Sequence, residues 1–124
     1  MHHVVSFHDT DCTKSVYYSR IFEWLDPIRL EMFEKHYKGA KQLENDGEAI
    51  CIYGCSGKLL KRMTIGDHVN IETDVTAKKA SFNMKHRYYV NGELTATASI
   101  HLAYFVDGSV SRFPVELAEA LKKF

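Results

Sequence analysis

Phe7-His8-Asp9-Thr10-Asp11-Cys12-Thr13-Lys14-Ser15-Val16-Tyr17-Tyr18 is the stretch on which the fold turns. Its first half is polar and turn-forming and carries two carboxylates one residue apart. Its second half runs into the most sustained helical period in the chain. From about Val16 to Tyr37, Ile21, Leu25, Ile28 and Met32 recur at helical spacing, and Tyr18, Phe22 and Phe33 widen that stripe. Ser15 is placed to cap this helix and Gly39 to stop it. The width of the stripe predicts a mostly buried helix. Pro27 lacks a backbone donor and is expected to kink or split it.

Upstream, Val4 to His8 carries strand-forming residues before the polar cluster Asp9-Thr10-Asp11. Downstream, everything from Glu48 to Val106 reads as strand. Ala49 to Tyr53 is apolar on both faces, which predicts a central strand. Val69, Ile71, Thr73 and Val75 alternate with His68, Asn70, Glu72 and Asp74, so the next strand has one wet face. Phe82, Met84, Tyr88 and Val90 share one face of the strand after it. Leu94, Ala96, Ala98, Ile100, Leu102, Tyr104 and Val106 share one face of the last. Asn91-Gly92 joins these two, and both residues favour the positive φ that a type I′ hairpin needs. After the Asp107-Gly108 turn, Pro114 opens a short C-terminal helix, and Lys122 and Lys123 complement its negative end. One sheet wrapped around one helix buries the wide stripe economically. The expected architecture is α+β: a single domain, 1–124, with an antiparallel sheet around one long central helix and a short C-terminal helix.

The 124 residues can bury a real core. Sixteen basic and sixteen acidic side chains cancel without any block of like charge, which argues against a nucleic-acid or membrane-surface partner. No apolar run approaches bilayer length, and Met1-His2-His3-Val4 does not open like a signal peptide. Cys12, Cys51 and Cys55 are odd in number, which fits reduced thiols in a cytoplasmic protein better than a disulfide framework. Cys51 and Cys55 lie in or beside an apolar strand and read as small buried residues. His3, His8, Asp9 and Asp11 lack a ligand spacing, so no metal is expected.

Chemistry concentrates in the opening stretch. The first turn of a helix presents unpaired amides and a partial positive charge. A carbonyl oxygen placed there is polarised, and its tetrahedral oxyanion is stabilised further. A carboxylate one loop away could attack that carbonyl or deprotonate a water. The same spacing is also met by aspartates that only cap turns.

Asp-Thr-Asp, four residues, Val-Tyr-Tyr and a long helix bearing an Arg resemble the 4-hydroxybenzoyl-CoA thioesterase family of hotdog-fold proteins. The likeness continues through Gly66-Asp67-His68-Val69, Lys78-Lys79-Ala80-Ser81-Phe82, Asn91-Gly92-Glu93-Leu94 and Arg112-Phe113-Pro114. It implies a hotdog fold and acyl-CoA thioester hydrolysis, the acyl group being aromatic or of medium chain length. Asp11 is then the catalytic carboxylate, as nucleophile or general base. The backbone N–H of Tyr18 polarises the thioester carbonyl. Lys78, Lys79 and Ser81 stand where the family binds CoA, and Val16 and Tyr17 where it meets substrate. CoA is part of the substrate, and no cofactor is implied. Family members pair side by side with active sites at the dimer interface and often form tetramers, so a homodimer or homotetramer is expected.

One position departs from the pattern. Three residues after Asp11 the family has Gly, and this chain has Lys14. Enediyne-polyketide thioesterases of the same fold show a similar loosening, which makes an acyl group on a carrier protein the alternative substrate. A non-catalytic module that binds an acyl ligand is the alternative from another class. Enoyl-thioester hydration needs His five residues after the Asp, where this chain has Val16.

Overall fold

The computed structural model describes residues 1–124. The chain runs β1 (His2–Val4), a 3-10 turn (Phe7–Asp9), α1 (Arg20–Glu23), α2 (Leu25–His36), α3 (Ala40–Asn45), β2 (Glu48–Leu59), β3 (His68–Ala77), β4 (Ser81–Val90), β5 (Glu93–Val106), β6 (Ser109–Val110) and α4 (Val115–Leu121). Pro27 splits the long helix, as its chemistry requires. It cannot bond the carbonyl of Glu23, four residues back, and Glu23 is where α1 ends. Trp24 between the pieces keeps helical angles (φ −65°, ψ −15°), so the chain goes on turning in the same sense.

The helix starts at Arg20 rather than Val16. Ser15 and Val16 are held in isolated β-bridges to Thr64 and Thr10, and the cap falls to Ser19. Gly39 caps the start of α3 instead of stopping the long helix. Strand β1 also ends early, because the Asp9 carboxylate takes the Ser6 amide and folds Phe7–Asp9 into the turn. Pro114 precedes α4 as its N-cap.

All strand pairs are antiparallel, in the order β1-β3-β4-β5-β2, with β6 folded back on β5. Asn91 and Gly92 (φ 52° and 77°) make the tight turn between β4 and β5. The inner face carries Val69, Ile71, Phe82, Met84, Tyr88, Ala96, Ala98, Ile100, Leu102 and Tyr104, all buried, as the alternation predicts. Leu94 is the exception. Tyr88 pairs with Ala96 but Tyr89 with Leu94, so Thr95 is an extra residue in β5. That bulge turns Leu94 to the other face. Thr95 is buried, and its hydroxyl donates to the Tyr88 carbonyl at 3.1 Å.

Ile21, Trp24, Leu25, Ile28 and Phe33 pack their side of α1–α2 onto this face. A fully buried leucine such as Leu25 contributes about 2–3 kcal/mol of transfer free energy. Only that side of the helix is covered. Tyr18, expected to widen the buried stripe, is 60% exposed, and Leu30 on the open side is 47% exposed. Gly57 of β2 marks a close approach of helix to sheet, where a Cβ would stand 2.9 Å from the Phe22 ring. Strand β2 is also an edge strand rather than a central one. Ile52 and Tyr53 are 49% and 64% exposed, and Cys51 and Cys55 are exposed free thiols instead of small buried residues. A strand apolar on both faces needs cover on both faces, and a single copy of this chain does not supply it.

Candidate active site

The two aspartates of the opening stretch take opposite environments. Asp9 is buried. It accepts the Ser6 amide (2.9 Å) and hydroxyl (3.0 Å), His3 Nε2 (2.9 Å) and the Trp24 indole N–H (3.1 Å). Burial alone would raise its pKa, but these bonds to the charged form win and bring it down to about 2. Asp9 therefore ties the loop to the helix.

Asp11 is solvent-exposed. Its Oδ1 accepts the Thr13 hydroxyl (2.5 Å) and the Thr13 amide (2.8 Å), and these bonds lower its pKa in that order of importance. Oδ2 takes no hydrogen bond of normal geometry, although the Ser15 amide lies close enough to the carboxylate to lower its pKa further. At neutral pH residue 11 thus offers one free anionic oxygen on a turn whose backbone is fixed. The Asp11 N–H donates to the Ser15 carbonyl (2.9 Å), the Lys14 N–H to the Asp11 carbonyl (3.0 Å) and the Val16 N–H to the Met63 carbonyl (2.9 Å). Lys14 has φ +67°. The left-handed region is the conformation glycine takes freely, and it costs a long side chain about 1–2 kcal/mol.

Tyr17 N–H donates to the Asp9 carbonyl at 3.0 Å, which brings the chain round to the mouth of α1. The amides of Tyr18 and Ser19 follow, and neither donates to any acceptor in the chain. The two tyrosine rings lie 4.8 Å apart and exposed. The Tyr17 phenol is held above its usual pKa, first by Tyr18 and to a smaller degree by the Asp11 charge. A free carboxylate oxygen and two unpaired amides at a helix mouth are the components acyl transfer uses. The Val16 side chain instead faces the core.

Lys78, Lys79 and Ser81 lie elsewhere. They form the turn from β3 to β4, fixed by Lys78 N–H to the Ser81 carbonyl (2.8 Å) and Phe113 N–H to the Lys79 carbonyl (2.9 Å). The Asp11 loop meets the other end of β3, through the Ser15–Thr64 bridge and the bond from Val5 N–H to the Asp67 carbonyl. The ten residues of β3 span roughly 30 Å. One chain therefore does not bring the basic turn to Asp11.

Two features escape the sequence reading. A mostly apolar cleft of about 660 Å³ opens between α2, α3 and β2, lined by Pro27, Leu30, Phe33, Leu43 and Ile52, with Arg29 and Glu48 among its polar groups. Arg29 pairs with Asp26 on its own helix, and its Nη1 is buried without a partner. Glu48 is buried under Tyr37, Tyr104 and Lys38. The second feature is His86, 1% exposed in the inner face of β4. Its slot in the Phe82–Met84–Tyr88 alternation was the available signal. Nδ1 meets the Thr73 hydroxyl at 2.8 Å.

Burial, aided by the Arg29 charge, pulls the His86 pKa from 6.5 down to about 4. The unfolded chain takes up this proton near pH 6.5 and the folded chain only near pH 4. Between those values the unfolded state binds more protons, so stability falls with falling pH. Urea unfolding at pH 7 and pH 4 should show a loss of about 3 kcal/mol from this residue, and His86→Leu should flatten that slope. A wild-type curve that is level over this window contradicts a neutral buried imidazole.

No group of three His, Cys, Asp or Glu side chains is gathered closely enough to hold a metal, and no helix is long and apolar enough to cross a membrane. The curled antiparallel sheet around its helix is the hotdog fold, as the sequence resemblance implies. Similar solved structures include gentisyl-coenzyme A thioesterase (21% identity, TM-score 0.85, 98% of each chain covered). Others are the dynemicin thioesterase (21%, 0.89, 100% of this chain and 94% of that one) and 1,4-dihydroxy-2-naphthoyl-CoA thioesterase from Synechocystis (15%, 0.89, 100% and 95%). No protein-family model and no curated protein matches the chain.

Proposed function

We propose that this chain is a thioester hydrolase acting on acyl-CoA. The observation that carries the reading is that ionised Asp11, on a hydrogen-bonded turn, and the unpaired amides of Tyr18 and Ser19 belong to one loop running into the helix, with the Asp11 charge felt at Tyr17. The thioester carbonyl oxygen accepts the Tyr18 N–H, which draws charge from the carbonyl carbon. Asp11 Oδ2 then attacks that carbon and expels the CoA thiolate, and water cleaves the resulting anhydride. Alternatively, Oδ2 takes the proton of a water that attacks directly. Both routes give a carboxylic acid and free CoA. The hotdog fold shared with three solved thioesterases supports the reading. The apolar cleft between α2 and β2 is roomy enough for an aromatic or medium-chain acyl group, and because Asp11 and Tyr18 of the same chain do not line it, it would serve the site of a partner paired across β2.

The working unit is a homodimer formed along β2, or a homotetramer in which a second contact joins two such dimers. Natural edge strands are blunted by Lys, Pro or brevity. β2 is twelve residues long and uncharged from Ala49 to Gly57, with its first lysine at Lys58. Antiparallel two-fold pairing lays the Leu59 end of one copy beside the Glu48 end of the other. The Asp11 pole of each copy then faces the Lys78–Lys79 pole of its partner, which supplies the cations that one chain keeps roughly 30 Å away.

The test follows free thiol release from short, long and aromatic acyl-CoAs, with sedimentation of the same sample. At least one acyl-CoA should turn over, and the mass should be two or four times 14.3 kDa. Tyr53→Lys, on the exposed edge, should sediment as a folded monomer and lose turnover. Binding without turnover across the panel would favour a non-catalytic acyl-binding module. Hydrolysis confined to carrier-protein thioesters would move the substrate to that class.

A further inference from the structure

Three residues other than glycine have positive φ: Lys14, Asn91 and Asp107. Asn91 and Asp107 each precede a glycine in a tight turn, and their short side chains tolerate the conformation. Lys14 has neither excuse. A long residue stays left-handed only where its surroundings over-determine it. The local bonds of the turn, from Thr13 to Asp11 and from Lys14 to Asp11, all lie within residues 11–15 and do not tie the turn to the rest of the fold.

The long-range side-chain tie comes from Arg62, on the segment between β2 and β3. Its Nε donates to Ser15 Oγ at 2.6 Å and its Nη2 to the Thr13 carbonyl at 2.6 Å. The guanidinium therefore grips the residues immediately before and after Lys14. It is exposed and makes no ion pair with any carboxylate. Its neighbour Met63 accepts the Val16 amide, so the same short segment holds the loop on both sides of Ser15. A planar fork spanning two acceptors fixes direction as well as distance, which a single ammonium cannot do.

We propose that Arg62 is a positioning residue that clamps the turn in its strained form, so that Asp11 is held in one place relative to the helix mouth. The proposal rests on the thioesterase reading for its kinetic consequence but not for its structural one. In Arg62→Gln the turn relaxes, Lys14 leaves the left-handed region, and kcat falls about 10- to 100-fold with KM nearly unchanged. Arg62→Lys falls equally. Adding Lys14→Gly to Arg62→Gln restores most of the rate, because glycine takes the conformation without the clamp.

The experiment pairs these kinetics with amide hydrogen exchange. The Asp11 amide, bonded to the Ser15 carbonyl, should exchange at least tenfold faster in Arg62→Gln and return toward wild type in the double variant. Unchanged exchange in Arg62→Gln overturns the clamp and leaves the hydrolase reading intact. A wild type inactive on every acyl-CoA and carrier thioester overturns that reading, and exchange alone then decides the clamp. A raised KM with unchanged kcat and no rescue by Lys14→Gly would mean that Arg62 binds substrate phosphate, and the proposal would be wrong.

Discussion

Asp11→Asn should lower kcat for thioester hydrolysis by two to four orders of magnitude while leaving the melting temperature within a degree or two of wild type. An amide oxygen is neither a useful nucleophile nor a base at neutral pH, so both routes open to Asp11 close together. The substitution is nearly isosteric, and the amide oxygen can still accept the Thr13 hydroxyl and amide that hold the turn. Residue 11 is exposed, so no buried charge is lost. Rate and stability therefore separate at this position. Asp9→Asn is the control. Its carboxylate accepts four donors inside the loop–helix junction, and an amide nitrogen there would oppose some of them. It should cost stability and lose less rate. Equal rates in wild type and Asp11→Asn, measured by thiol release, would remove the mechanism.

Glu48→Ala should have the largest effect on stability, about 3 kcal/mol, with a melting temperature roughly 10 °C lower. Burial would raise the Glu48 pKa, but Lys38, Tyr104 and Tyr37 hold the carboxyl below its usual range. The same contact, after burial, pushes the Tyr104 phenol up to about 12. Removing the carboxylate strands the buried Tyr104 hydroxyl and the partly buried Tyr37 hydroxyl and takes one of the two anions from Lys38. Lys38 keeps Asp46 at 2.7 Å, which places the cost at the lower end for a broken buried pair. Glu48→Gln keeps an acceptor and should lose less. The network joins the end of α2 to β2 and β5 where the apolar cleft closes, so the cleft should also loosen. A Glu48→Ala chain that unfolds at wild-type urea concentration would show the network to be ornamental.

Local chemistry was legible where one residue type tolerates one conformation. Asn91-Gly92 had to turn, Pro27 had to break a helix ladder, and the period-two alternation of β3 and β4 had to put one face inside. The errors share a cause. Ser15 has every local qualification for a helix cap, but Thr64, forty-nine residues away, takes its backbone into a bridge. The bulge at Thr95 depends on register against Tyr88 and Tyr89, which no stretch of β5 contains. The apolar run Ala49–Tyr53 states that both faces want cover, and nothing in it says whether a neighbouring strand or a second copy provides it.

For the site, the residues read in order already show two carboxylates ahead of a helix mouth. That order does not divide their roles, because burial does that. Asp9 is surrounded by Ser6, His3 and Trp24, and Asp11 is left to water with one oxygen free. Tertiary structure alone decided that Lys14 is left-handed, that Arg62 grips the turn around it, and that Lys78–Lys79 sits at the far pole of the sheet. The physical reason is range. Backbone sterics and side-chain period act over a few residues and are written in each segment. Hydrogen bonds that select one aspartate from two join segments whose approach only the folded sheet creates.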